Sequence, residues 1–369
     1  MNETADYSKT AEPKEHATSH QDGGSDEINV LDLSGELADP QPSTIALITN
    51  LLSKLGSIIT SHWILCSTPV NNSWLSICWS PELSLFCCVS DTGTGTRVMT
   101  SPDGITWTIR TSASNISWRS VCWSPALSLF CAVGASGTIN RVMTSSNGTS
   151  WTIRAAAASN EWFSVFWSPD LSLFCAVATS GSNNRVMTSI NGIDWIIRTS
   201  PANISWRSIC WSPALSLFCA IAHDGTDNGV MTSPNGIDWT LQTPANNNEW
   251  LSVCWSPALS LFCAVARTGT GNRVMTSPNG IDWTIRTSAA DNLWRSVCWS
   301  PELSLFCATA YSGVNNRVMT SNDGITWISR FSASDTSWMA VTWSPSLGVF
   351  CSVSQSFTSN QIMLSLFYS

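Results

Sequence analysis

The tripeptide Trp-Ser-Pro occurs seven times in the chain, and successive copies lie 44 residues apart. Two further tryptophan series keep the same spacing, one from Trp63 to Trp327 and one from Trp74 to Trp338, and the three series account for all 21 tryptophans. A fixed period of this length indicates tandem copies of one supersecondary unit, stacked or arranged in a ring. The Trp-Ser-Pro copies begin at Trp79, Trp123, Trp167, Trp211, Trp255, Trp299 and Trp343.

Each copy contains four short segments rich in apolar and β-branched residues, separated by turn signals, as the unit 118–161 shows. Pro125 marks the first turn, because proline fixes φ and has no amide hydrogen for a strand ladder. Asn147 and Gly148 mark the third turn, since both residues tolerate a positive φ. Four strands in 44 residues match one propeller blade better than a solenoid unit. The predicted strands of this unit are 118–123, 129–133, 141–145 and 151–154.

The two ends of the repeat region complete each other. The last copy ends at 361–365, the equivalent of 317–321, and its fourth strand is missing. The segment 63–66 lies one period before Trp107 and supplies a strand of that type. Pairing the two ends would remove exposed sheet edges. The sequence therefore predicts an all-β fold: a seven-bladed β-propeller of four-stranded antiparallel blades, with the last blade closed by the N-terminal strand.

The turn between the third and fourth strands carries a family resemblance. The segments 101–107 (SPDGITW) and 321–327 (SNDGITW) resemble the Asp-box of sialidase-type, BNR-like propellers. The resemblance implies a structural turn, in which Asp103 and Asp323 tie the hairpin and the tryptophan packs between strands. The repeat consensus is also similar to uncharacterised repeat proteins of large DNA viruses, phages and bacteria, which implies no activity. Four other copies have asparagine in place of the aspartate, at Asn147, Asn191, Asn235 and Asn279.

Charge is unevenly distributed along the chain. Ten of the 25 acidic residues precede Trp63, whereas the repeats hold 14 arginines, no lysine and 15 acids. The near-neutral repeats offer no basic field for nucleic acid, so no nucleic-acid partner is predicted. Residues 1–43 are polar and acidic and are predicted to be a disordered leader. Residues 44–59 have apolar side chains at helical spacing and form a candidate short helix, packing on the ring or engaging a partner; residues 60–369 form the propeller.

The cysteines follow the repeat. Twelve of the 14 fall on two repeat positions, but Phe166 and Thr342 replace cysteine in two copies of the first position. That slot does not require a thiol, so we expect reduced, buried cysteines, with within-blade disulfides as the alternative. No Cys-x-x-Cys pair, cofactor motif, signal-like start or run of 18 apolar residues occurs. These absences predict no metal, no cofactor, no membrane span and a cytoplasmic location, with a virion also compatible.

The sequence gives little support for a catalytic function. A sialidase-like hydrolase, which the resemblance would allow, needs an arginine cluster for a carboxylate, a tyrosine nucleophile and an acid. The three tyrosines, Tyr7, Tyr311 and Tyr368, are scattered, and most arginines are copied around the repeats. We therefore predict no enzymatic activity and keep a sialidase-type hydrolase as the weakest alternative. The copied arginines are Arg97, Arg141, Arg185, Arg273 and Arg317 before the third strand, and Arg110, Arg154, Arg198, Arg286 and Arg330 at the end of the fourth.

The loops after the second and fourth strands vary between copies, whereas the other two turns hardly change. Variable loops on a rigid scaffold are a common place for recognition, although unconstrained surface loops also drift. We expect a monomeric ring that binds a protein partner through these loops, with a multivalent lectin as the alternative. Asp224 and Asp227 form either a cation site or a solvated loop. The candidate partner-binding residues are Asp91, Asn115, Asn160, Asn184, His223, Asp224, Asp227, Asn247, Arg267, Asp291 and Asn316.

Overall fold

The computed structural model describes residues 63–225, 227–356 and 358–365, so the leader 1–43 and the segment 44–59 lie outside the described residues. The described part folds into β-strands without helices, which confirms the predicted all-β class. The strands, in chain order, are β1 (Trp63–Cys66), β2 (Trp74–Ser80), β3 (Leu85–Ser90), β4 (Val98–Ser101), β5 (Thr108–Arg110), β6 (Trp118–Ser124), β7 (Leu129–Gly134), β8 (Val142–Ser145), β9 (Thr152–Arg154), β10 (Trp162–Ser168), β11 (Leu173–Ala178), β12 (Val186–Ser189), β13 (Ile196–Arg198), β14 (Trp206–Ser212), β15 (Leu217–Ala222), β16 (Val230–Ser233), β17 (Thr240–Gln242), β18 (Trp250–Ser256), β19 (Leu261–Ala266), β20 (Val274–Ser277), β21 (Thr284–Arg286), β22 (Trp294–Ser300), β23 (Leu305–Ala310), β24 (Val318–Ser321), β25 (Ile328–Arg330), β26 (Trp338–Ser344), β27 (Val349–Ser354) and β28 (Ile362–Ser365).

These strands form seven four-stranded antiparallel sheets, which we call blades one to seven, starting with β2–β5. The first strand of each blade is innermost, because it packs against the first strands of both neighbouring blades. The contact of β26 with β2 closes the circle. The fold is therefore the predicted seven-bladed ring, with the first strands around a central channel.

The N-terminal strand completes blade seven. The order of strands in that sheet is β1-β28-β27-β26, and β1 runs antiparallel to β28 with Trp63 opposite Ser365 and Cys66 opposite Ile362. Cys66 is buried on the blade. The two ends of the repeat region thus meet in one sheet, which confirms the predicted closure.

The third and fourth strands begin one residue later than predicted. In blade two they start at Val142 and Thr152 rather than at Arg141 and Trp151. The Arg141 guanidinium folds back onto the preceding loop and donates to the carbonyl of Gly137, while the Trp151 indole donates to the carbonyl of Gly148. Each residue is therefore held by its loop or turn before the ladder begins.

The apolar core lies between blades rather than within them. One cluster combines Cys87 and Val98 of blade one with Trp118, Phe130 and Met143 of blade two, all with no exposed surface. The same arrangement recurs at the other blade junctions. Because neighbouring blades share each core, a blade depends on the next one for burial of its apolar surface. This sharing couples the stability of each blade to that of its neighbours.

Backbone-to-hydroxyl hydrogen bonds join neighbouring inner strands. The amide of Val121 donates to Oγ of Ser76 across a blade junction at 3.1 Å. Five further junctions repeat this bond, but the junction of blades seven and one has Ala340 in the serine position. The closing junction therefore differs from the other six.

The cysteines are free thiols, and burial raises the pKa of the Cys66 thiol to about 11. The first and second strands place cysteines directly opposite each other in five blades, for example Cys78 opposite Cys87. Because burial disfavours the thiolate, these side chains behave as small apolar groups in the core.

Candidate functional site

The two faces of the ring differ in kind. One face carries the nearly identical turns after the first and third strands; we call it the turn face. The other carries the loops after the second and fourth strands; we call it the loop face. The loop face consists of 67–73, 91–97, 111–117, 135–141, 155–161, 179–185, 199–205, 223–229, 243–249, 267–273, 287–293, 311–317, 331–337 and 355–361, apart from residues 226 and 357, which are outside the description.

Asparagine clamps hold the loop face in shape. Nδ2 of Asn160 donates to the carbonyl of Asn184 at 2.7 Å, and Asn160 is only 7% exposed. Asn292 makes the same bond to Asn316 at 2.8 Å. Each clamp joins the loop that enters a blade to the loop after that blade's second strand. Asn160, Asn184 and Asn316 therefore shape the loops.

The arginines that precede the third strands also hold loops. Arg141 is 8% exposed and donates through Nη1 to the carbonyl of Asn160 at 2.6 Å. Arg273 and Arg317 make equivalent bonds across 19 residues. Burial lowers the pKa of these three arginines, with partial compensation by nearby acids. The arginines before the third strands thus bind mainly carbonyl oxygens of the loop face, and Arg273 and Arg317 also lie near Asp291 and Asp335.

The other candidate residues are bound within the loop face. The side chains of Asn115 and Asp291 accept from the amides of Gly95 and Gly271, each at 2.6 Å. Asn247 donates to Asp227 at 2.7 Å, and Asp224 accepts from the amide of Ser205. The last two bonds direct Asp224 and Asp227 to different partners. Among the described residues, no group of three His, Cys, Asp or Glu can hold a metal ion.

The turns between the third and fourth strands lie on the turn face. Oδ1 of Asp103 accepts from the amides of Ile105 at 2.8 Å and Thr106 at 2.7 Å. Asn147 accepts from the corresponding amides, both at 2.9 Å. Burial alone would raise the pKa of Asp103, but the hydrogen bonds from Thr106, Ile105 and Ser101 hold it below its usual value. Asp323 and the remaining asparagines, Asn191, Asn235 and Asn279, make the same pair of bonds.

We expect the double substitution Asp103→Asn with Asp323→Asn to preserve stability at pH 7, because four turns already have asparagine. The wild-type carboxylates have lowered pKa values, so their stabilisation is present above the unfolded value of 3.8 and is lost as the pH falls through the folded value. The double variant should therefore lose less stability between pH 5 and pH 2. Urea unfolding midpoints across that range measure this difference, and parallel curves for both proteins would contradict it.

Three arginines line the channel mouth at the loop face, at a repeat position that is apolar in the other four blades. Arg119, Arg207 and Arg295 occupy the second position of the inner strands β6, β14 and β22. The other four blades have Leu75, Phe163, Leu251 and Met339 at this position. The sequence analysis missed this set, although the alternation of apolar and charged residues at one repeat position is visible in the sequence.

The three arginines converge on one cavity of about 410 Å³. The Arg207 guanidinium lies over the ring of Phe163, with Cζ 3.9 Å from its centroid, and that of Arg119 lies 5.5 Å from the same ring. Nη1 of Arg119 also pairs with Asp91 at 3.1 Å. Two of the three guanidinium groups therefore contact the same aromatic ring. The lining residues are Arg119, Glu161, Phe163, Thr179, Ser205, Arg207, His223 and Arg295.

The electrostatics of this cavity are unfavourable for its own arginines. Burial and then the neighbouring arginines lower the pKa of Arg207 to about 9 and that of Arg295 to about 10. Both groups remain cationic at neutral pH. Burial and the nearby Arg207 lower the pKa of His223, which favours the neutral imidazole at pH 7. The described residues place no carboxylate within 4.0 Å of Arg207 or Arg295, whereas Arg267 pairs with Glu249.

An exposed apolar patch lies on the loop face at blade six. Val314 is 77% exposed and Phe331 is 69% exposed, and the amide of Ser332 donates to the carbonyl of Asn315 between their two segments. Tyr311, also exposed, begins the same loop as Val314. Five of the other six blades have threonine in the Val314 position, and four have threonine in the Phe331 position. This patch was also missed, although it departs from the repeat consensus.

Tyr311 is the one sialidase-type tyrosine candidate in the described part; Tyr7 and Tyr368 lie outside it. No described helix has the length and apolar character needed to cross a bilayer.

Solved structures share the ring fold. A streptogramin B lyase structure gives a TM-score of 0.69 at 9% identity, covering 82% of this chain and 96% of that chain. The Cps50 (Swd1) β-propeller domain of Myceliophteria thermophila gives 0.61 at 10% identity, covering 83% and 100%. A chain of a mitotic checkpoint complex gives 0.63 at 15% identity, covering 84% and 93%. No protein-family model and no curated protein sequence matches. At these identities the similarity establishes the β-propeller fold alone.

Proposed function

We propose that the protein is a non-enzymatic scaffold that binds a protein partner through its loop face. The observation that carries this proposal is the exposed apolar patch of Val314 and Phe331. Val314 and Phe331 are the most exposed large apolar side chains in the described part of the loop face, and such residues are typical of protein-binding sites. The patch also interrupts a repeat whose other copies use small or polar residues there, so the fold itself does not require it.

The rigidity of the loop face supports the same function. Its loops are clamped by asparagine and arginine hydrogen bonds, so little conformational entropy is lost when a partner docks. One structural neighbour is a chain of a mitotic checkpoint complex, which is compatible with a scaffold. The lectin alternative is weaker, because the asparagines that would repeat a sugar site already bind neighbouring loops.

The test of this proposal uses substitutions to residues that other blades have at the same repeat positions. Val314→Thr with Phe331→Thr restores the residues of most other blades and should leave the fold intact. Ile325→Thr is the matched control, because Ile325 is 51% exposed on the turn face and Thr149 occupies its position in blade two. Wild type and the control should capture the same protein from extracts of the source organism, and the double variant should bind it at least tenfold more weakly.

Equal capture by all three proteins would contradict the loop-face proposal. Loss of capture in the Ile325→Thr control alone would assign recognition to the turn face instead.

A further inference from the structure

The channel-mouth cavity contains more positive charge than the ring needs for its own stability. The inner-strand position of Arg119, Arg207 and Arg295 is filled by buried leucine or methionine in three blades, at Leu75, Leu251 and Met339. The blade therefore folds with an apolar side chain at this position. Charged groups placed where apolar ones suffice destabilise a protein, and such groups cluster at functional sites.

Some hydrogen-bond donors of these arginines have no acceptor in the described part of the protein. Nε of Arg119 and Nε of Arg207 are buried and have no hydrogen-bond partner among the described residues. Arg207 and Arg295 also lack an ion pair there, as noted above. A buried guanidinium N–H without a partner is costly unless a ligand atom accepts from it. Unused guanidinium donors of Arg207 and Arg295 therefore lie beside the cavity.

The charges of the lining indicate the class of ligand. The lining itself has three guanidinium groups and one carboxylate, that of Glu161, which accepts from the Thr179 hydroxyl at 3.0 Å, and Asp91 next to the lining pairs with Arg119. The neutral His223 adds no charge. With Arg119 paired to Asp91, Arg207 and Arg295 are the two cations of the lining without an ion pair among the described residues, and one divalent oxyanion would balance them. Arginine forks match the oxygen atoms of a phosphate group in geometry as well as in charge.

We propose that the channel mouth is a binding site for a phosphate group, held between the guanidinium groups of Arg119, Arg207 and Arg295. The cavity of about 410 Å³ has room for a phosphate with a substituent as well as for the free ion. The site does not depend on the apolar patch at Val314 and Phe331, so it is independent of the proposed protein partner.

The test is calorimetric titration of the full chain with inorganic phosphate and, separately, with N-acetyl-O-phosphoserine amide, at constant ionic strength. We expect saturable one-to-one binding of at least one probe. Tighter binding of inorganic phosphate identifies the free ion as the source, and tighter binding of the phosphoserine derivative identifies a phosphorylated group carried by another molecule. Arg207→Leu and Arg295→Leu should each weaken binding at least tenfold, and both introduce a side chain that other blades hold at this position.

Arg286→Gln is the matched control for charge. Nε of Arg286 donates to Oγ1 of Thr276 at 2.9 Å, and Gln242 makes the equivalent bond to Thr232 at 3.1 Å. This variant removes one positive charge outside the cavity and should bind phosphate like the wild type. Absence of saturable binding by both probes, or equal weakening by Arg286→Gln and by the cavity variants, would overturn the proposal.

Discussion

A chain that begins at residue 67, and so lacks β1, will be less stable than one that begins at residue 60 by about 4 kcal/mol. The truncation removes the whole ladder from Trp63 opposite Ser365 to Cys66 opposite Ile362. It also exposes the apolar surface that Cys66, Ile64 and the ring of Trp63 cover in the closing core. The chain from residue 60 is the matched control, because it keeps the closing strand.

The same truncation should cause self-association. Without β1, the strand β28 becomes an unpaired edge, and unpaired edges pair with strands of other chains. Urea unfolding measures the stability loss, and sedimentation velocity measures the association. An unchanged unfolding midpoint together with a monomeric truncated chain would show that β1 does not close the ring.

The double substitution Arg207→Leu with Arg295→Leu should raise the free energy of unfolding by about 2 kcal/mol in phosphate-free buffer. It removes two cations that burial and mutual repulsion disfavour, and it introduces the side chain found at Leu75 and Leu251. The stacking of Arg207 on Phe163 is also lost, but that contact contributes only about 1 kcal/mol. The gain from removing buried charge therefore exceeds the loss.

Urea unfolding of the double variant and of Arg286→Gln checks this expectation. The glutamine of the control can donate to Thr276 as Gln242 donates to Thr232. The free energy of unfolding of the control should therefore stay within about 0.5 kcal/mol of the wild-type value. A double variant less stable than the wild type would mean that the arginines stabilise the ring. Their cost in stability could then no longer support a bound ligand.

The ring was predictable because its signals are local and repeated seven times. Tryptophan spacing, Pro125 and the Asn147-Gly148 turn are features of neighbouring residues, and they define the four strands of each blade. Closure was predictable for a different reason: a strand missing at one end was present at the other. The errors of one residue at Arg141 and Trp151 came from side chains that bind a loop or turn instead of extending the strand.

The candidate site was less predictable because its contacts join residues far apart in the chain. Asn160 and Asn316 were predicted as candidate partner-binding residues, and the structure shows them in clamps between loops 24 residues apart. Arg119, Arg207 and Arg295 follow one another at intervals of 88 residues, and only ring closure brings them to one cavity. Comparing each repeat position across blades would have found both these arginines and Phe331.

Hydrogen–deuterium exchange of the full chain, free and bound to the captured partner, tests most directly whether the loop face is the recognition face. The account predicts protection of the loops 311–317 and 331–337, which hold Val314 and Phe331, with unchanged exchange in the turns 81–84 and 321–327. Protection confined to those turns would place the partner on the opposite face and contradict the account.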